Sequence, residues 1–173
     1  FLPFVPDAPN YLSLDIETVT AQSLSVIVSG AGAKIVEASM KQPVEFLLTD
    51  KNNNPLAFSR FAYLMNIDFS EETLASFGES FSLFLYNDAG IVKTGLVLTF
   101  ADPSKSENVI KTKERSLPFS FRTVLFQDFA VPREVVFRSG IYKEQAVRFV
   151  NIDTAKNISF DYAFYKDRLF IGT

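Results

Sequence analysis

The 173-residue chain contains no histidine, no cysteine and no tryptophan. Without imidazole or thiol there is no His- or Cys-based nucleophile, no thiolate zinc site, no thiol redox motif and no imidazole general base. What stays open is carboxylate chemistry, a Ser-Lys arrangement, or a hard-cation site built from oxygen ligands. The lack of cysteine does not fix a compartment, because reduced cytosolic chains and many envelope chains alike do without disulfides. No run of about 18 apolar residues occurs, so no stretch of this sequence reads as a bilayer-spanning helix. Seven Gly and eight Pro are too few for a low-complexity or collagen-like chain.

What is present is apolar and rich in phenylalanine. Hydrophobic residues make up 47% of the chain, enough for one well-buried core, and nothing in the length demands a second domain. The 19 Phe point to that core, with a minority of rings available to line an apolar groove. The net charge of -3 hides an asymmetry: residues 1–100 carry 5 basic and 11 acidic side chains, and residues 101–173 carry 12 and 9. Such a split describes an acidic and a basic side of one domain. It lacks the concentrated Lys/Arg stripe that binding to a phosphate backbone needs, so no nucleic-acid partner is expected.

The clearest structural commitment lies at 81–100, two apolar runs around Asn87-Asp88-Ala89-Gly90. Asp88 and Ala89 suit the middle of a type I turn, with Gly90 as the left-handed residue closing a bulge. Apolar residues on both faces suit interior strands covered on at least one side by helices. A second hairpin is expected over 158–173, turning at Lys166-Asp167.

In chain order, three prolines within residues 1–10 force an extended lead-in strap. Leu12, Leu14 and Ile16 alternate as in a half-buried strand. Residues 20–29 fit a helical face through Leu24, Ile27 and Val28, and a strand equally well through Leu24, Val26 and Val28; helix is the reading adopted. A separate short helix follows Gly30 and Gly32, with Ile35, Val36, Ser39 and Met40 inward and Pro43 ending it. Val44, Phe46 and Leu48 alternate into a polar turn at 50–55, and a helix is expected over 56–66. Ser70 caps the next helix, Phe69 and Leu74 form its hydrophobic staple, and Gly78 is read as its stop. Asp102-Pro103 starts a helix that carries Val109 and Ile110 inward and ends near Leu117-Pro118. Phe119, Phe121, Leu125 and Phe126 suggest a further short helix, Val135, Val136 and Phe137 a short strand, and 141–152 one longer strand.

These elements predict an α+β fold, an antiparallel sheet on two hairpins with helices packed on it, as a single domain over 11–173. The alternative is an all-β immunoglobulin-like sandwich. It rests on residues 44–56, which resemble the strand-turn-strand of bacterial immunoglobulin-like surface modules, although Asn53 stands where those turns carry Gly. The chain starts at Phe1 without Met and stops at Thr173 after an apolar run, so it reads as a piece of a longer protein.

Candidate sites are few. Asp50, Asn52 and Asn54 copy the first ligand positions of a calcium loop, but Pro55 and Phe61 break the pattern, which leaves a polar turn. Asn157-Ile158-Ser159 fits a glycosylation acceptor. The carboxylate pairs Glu71/Glu72 and Asp161/Asp167 are explained by a helix dipole and a hairpin turn. Ser104-Lys105-Ser106 reads as a solvated first helical turn. Tyr142, Arg148, Tyr162, Tyr165 and Arg168 form a candidate aromatic and basic surface, which alternation on adjacent strands would also create without a ligand. No catalytic residue, cofactor or metal ligand is therefore assigned.

The segments 81–88, 95–98, 146–151 and 167–173 together resemble a group of uncharacterised bacterial envelope proteins found in ultra-small bacteria. That resemblance covers roughly the last 130 residues in order, through apolar alternation. It implies a single membrane helix outside this stretch and an extracytoplasmic α+β region. The function expected is a non-catalytic binding or scaffold module of a membrane-anchored envelope protein, with a protein or other envelope macromolecule as partner. The alternative is a carrier that encloses an apolar, lipid-like ligand in a Phe-lined pocket.

Overall fold

The structure, a computed structural model, describes residues 2–126 and 130–173. Its frame is one mixed sheet of eight strands in the order β1-β2-β3-β4-β8-β7-β6-β5. The strands are β1 (Asn10–Ser13), β2 (Val44–Thr49), β3 (Phe77–Asp88), β4 (Ile91–Phe100), β5 (Arg138–Tyr142), β6 (Gln145–Asp153), β7 (Ile158–Tyr165) and β8 (Arg168–Gly172). Five helices are α1 (Ala21–Glu37), α2 (Phe58–Leu64), α3 (Glu71–Ala75), α4 (Pro103–Thr112) and α5 (Leu117–Ser120). The fold is α+β as expected, and the single sheet overturns the two-sheet sandwich alternative.

Alternation along each strand decides the two faces. Phe46, Leu83, Leu85, Leu96, Leu98, Leu169, Ile171, Phe160 and Tyr162 all point to one side and are buried. Every helix lies on that side. Phe58 and Phe61 of α2 pack edge-on and tilted against Phe77 and Phe81, and Phe121 meets Phe160. Removing each such ring from water is worth roughly 1.5–3 kcal/mol, so this face supplies most of the driving force for folding. The interior rings fill the space between helices and sheet by touching one another.

Several expectations need correction. The first strand runs Asn10–Ser13 and pairs in parallel with β2, because the long helix between them returns the chain to the same end of the sheet. That helix is one element instead of two. Thr20 caps it with a reciprocal Ser23 bond, and it runs straight through Gly30 and Gly32. Gly32 earns its place by packing: a Cβ there would stand 3.0 Å from a Val92 methyl of β4. Gly78 is no helix stop. α3 ends before Ser76 and Gly78 lies within β3, where a Cβ would sit 2.4 Å from Thr99 Oγ1.

The central turn is also tighter than expected. Asp88 pairs with Ile91, leaving Ala89 and Gly90 as a two-residue loop, both at positive φ (50° and 94°). Asn87 Oδ1 accepts the Gly90 amide at 2.8 Å. At 141–152 the single strand is really a hairpin: β5 ends at Tyr142, Lys143 and Glu144 turn at φ 46° and 67°, and β6 begins at Gln145. Val135, Val136 and Phe137 precede β5 outside any strand. α4 stops at Thr112, and its continuation to Leu125 is broken into 3-10 turns and α5. Within the lead-in strap, Asn10 ties residues 5–10 down by accepting the Val5 amide and donating to the Val5 and Glu45 carbonyls; Phe1 lies outside the described residues.

Candidate functional site

The face of the sheet opposite the helices carries the most unusual surface. One cross-strand row on it runs Glu45, Phe84, Gly95, Gly172, Asp161, Phe149, Arg138, from β2 to β5. Two glycines face each other at its centre, so the sheet shows bare backbone there. Phe84, Tyr86, Val97 and Phe170 stand around the gap, with Pro43 at the side, and enclose an open apolar groove of about 380 Å3. Tyr86 and Phe170 are both 38% exposed, which is costly for rings that have the option of burial.

On the β7 side the groove meets charge. Lys93 is only 7% exposed and reaches past the end of β8 to the Asn157 carbonyl of the β6–β7 turn at 2.5 Å. Burial pushes the Asp161 carboxyl upward; the Ser159 hydroxyl, 3.0 Å from Oδ2, and the Lys93 charge pull partly the other way. The pair thus flanks the groove with a half-buried carboxyl and a buried ammonium group.

The sheet splits the aromatic and basic cluster expected from the sequence. Arg148 and Tyr162 point to the helical side, and Tyr142, Tyr165 and Arg168 to the open side. The inner pair joins Glu114, a residue sequence reasoning left out. Glu114 Oε1 accepts from Arg148 Nε at 2.7 Å and from the Tyr162 hydroxyl at 2.6 Å, and Oε2 accepts a second Arg148 nitrogen at 2.7 Å. Burial alone would raise the Glu114 carboxyl, but the Arg148 and Tyr162 hydrogen bonds outweigh it and hold the group below its usual value. Burial first, then Glu114, pushes the Tyr162 phenol up, so it stays a donor. Every polar atom of this network has a partner, and its role is to lock the segment after α4 to the sheet.

The remaining candidates serve local structure. Asp50 spends its carboxylate inside its own turn, accepting the Asn54 side chain at 2.8 Å and the amides of Asn54 and Asn52. Those bonds, the Asn54 side chain first, hold the Asp50 carboxyl low. Glu71 and Glu72 occupy the first turn of α3, capped by Ser70. Asp161 lies on the open face and Asp167 in the β7–β8 turn. Ser104 bonds the Asp102 cap, and Ser106 is buried with its hydroxyl on the Ser76 carbonyl at 2.7 Å. Asn157 sits exposed at φ 52° in the β6–β7 turn.

Among the described residues no three acidic side chains gather so that they could hold a metal ion, and no helix is long and apolar enough to cross a membrane. The signal for the groove was present as Gly95 and Gly172 inside apolar strands, a pattern that marks close approach by another group. No protein-family model matches the sequence, and no curated protein or solved structure matches it either.

Proposed function

We propose that this chain is a non-catalytic, extracytoplasmic binding or scaffold module of a membrane-anchored envelope protein, and that a partner protein docks in the open-face groove. The observation carrying the reading is the bare Gly95/Gly172 floor ringed by Phe84, Tyr86, Val97 and Phe170. A helix-free sheet face need not carry a half-exposed ring on two strands beside a glycine gap unless something fills it. A protruding aliphatic or aromatic side chain of a partner suits the shape and is desolvated there. The envelope location and membrane attachment come from the sequence resemblance, with the attachment supplied outside residues 1–173.

A photo-reactive phenylalanine analogue in place of Tyr86, in intact cells carrying the full-length protein, tests this. The reading expects one discrete protein adduct, lost when Val97→Asp charges the groove. An analogue at Val26, on the exposed side of α1, is the control; equal labelling from both positions would sink the idea.

A second reading places a lipid-like acyl chain in the same groove, favoured by its nearly all-apolar walls. It expects saturable cis-parinaric acid fluorescence that Gly95→Leu abolishes. A linear, non-saturating titration, unchanged by Gly95→Leu, removes it.

A further inference from the structure

Strand β5 closes one end of the sheet, with β6 on one side and, among the described residues, no strand on the other. The two-residue Lys143-Glu144 turn fixes the hydrogen-bonding phase of the hairpin. Tyr142 and Gln145 exchange bonds across it, and so do Gly140 with Val147 and Arg138 with Phe149. Ser139 and Ile141 therefore turn their backbone N–H and C=O groups outward. Ile141 is 82% exposed and Tyr142 67% exposed. The strand carries no proline and no bulge, two of the devices that protect an edge, and its one charged residue, Arg138, stands at its start.

We infer that β5 pairs antiparallel with β5 of a second copy, about a two-fold axis at Gly140, to give one continuous sheet of sixteen strands. The register follows from the chemistry of the strand. Ser139 and Ile141 of one copy exchange both backbone bonds with Ile141 and Ser139 of the other, satisfying four donors and four acceptors. Gly140 meets Gly140 as the narrow, non-bonded pair, where two side chains would crowd. Arg138 lies opposite the Tyr142 ring, a cation beside an aromatic instead of a like charge. The two Ile141 side chains lie diagonally across the axis and cover each other. A strand that pairs with itself makes a closed dimer, and this one is self-complementary residue by residue.

The opposite edge fits less well. β1 is four residues long and follows Pro9 directly. Pairing β5 with β1 would also be heterologous and run on into open-ended polymers. The β5 dimer leaves the groove on β3, β4 and β8 uncovered, so it is independent of the proposed binding function.

The absence of cysteine makes the test sharp, because Gly140→Cys introduces the single thiol of the chain. A Cβ at 140 meets only the Phe149 ring at 3.4 Å, an ordinary contact. In the inferred register the two position-140 Cα atoms are about 4.5 Å apart, within disulfide reach. Ser139→Cys and Ile141→Cys are controls, since each stands about 8 Å from its own copy across the axis, too far to bridge. Wild-type chain in sedimentation velocity is expected at twice 19.4 kDa as concentration rises. Ile141→Pro deletes one outward N–H per copy and should weaken association about thirtyfold, at about 1 kcal/mol per lost bond, with unchanged circular dichroism. Should that variant misfold, Ile141→Lys at the same exposed position replaces it, with weakened association again expected. A wild-type monomer at every concentration, equal cross-linking from positions 139 or 141, or polymers in place of dimers would each overturn the inference.

Discussion

Arg148 holds Glu114 through two parallel hydrogen bonds of 2.7 Å, one to each carboxylate oxygen. A planar fork on a planar acceptor is the strong form of this contact. Here it fastens the turn after α4 to β6, joining the helical layer to the C-terminal half of the sheet. Because the folded Glu114 carboxyl lies below its usual 4.5, the unfolded chain binds the extra proton. The stability it contributes is thus complete above about pH 4.5 and is lost as pH falls through the folded value. Glu114→Gln should cost about 2 kcal/mol at pH 7, less than the 3–5 of a fully buried pair because Arg148 is one-third exposed. Urea unfolding from pH 7 to pH 3 should show the gap to wild type narrowing at the acid end; a constant gap would contradict this.

Ala89 sits at φ 50° in a turn whose first position favours Asn. Ala89→Asn creates the preferred Asn-Gly pair and should raise stability by about 1 kcal/mol, the cost of a left-handed L-residue. Thermal melting would show it as a rise in Tm, and no rise or a fall would refute the strain.

Two glycines two residues apart in α1 should answer oppositely to the same change. Nothing lies within 4 Å of a Cβ at Gly30, so Gly30→Ala gains about 0.5–1 kcal/mol of helix propensity. At Gly32 the Val92 methyls stand at 3.0 and 3.1 Å, so Gly32→Ala should lower stability. Chemical denaturation midpoints of the two variants, bracketing wild type, are the check.

Thr49 is fully buried, and its hydroxyl has no hydrogen-bond partner among the described residues. Thr49→Val keeps the shape and removes the stranded polar atom, so it should stabilise by about 1 kcal/mol. A destabilised variant would mean that the hydroxyl is satisfied in solution.

The sequence was most legible where local chemistry and tertiary demand agree. Ser70 and Asp102-Pro103 cap the helices they announce, and Lys166-Asp167 turns where alternation places it. It was least legible where packing overrides propensity. Gly32 looks like a break until Val92 is seen against it, and the β5–β6 hairpin hides because Lys143 and Glu144 adopt left-handed backbone without the usual Asn or Gly. The groove needed partners from strands distant in sequence: Gly95 and Gly172 meet only once β8 is laid beside β4. Glu114 was overlooked for the same reason, since its partners lie 34 and 48 residues away.

The placement of β8 has a consequence for biosynthesis. The last of the described strands in chain order, β8, occupies the interior of the sheet, between β4 and β7. Until it emerges, β4 presents a naked apolar border for the several seconds that translation of residues 101–173 takes at 5–20 residues per second. A chain interrupted before residue 168 would hold two half-sheets, β1–β4 and β5–β7, without the strand that joins them.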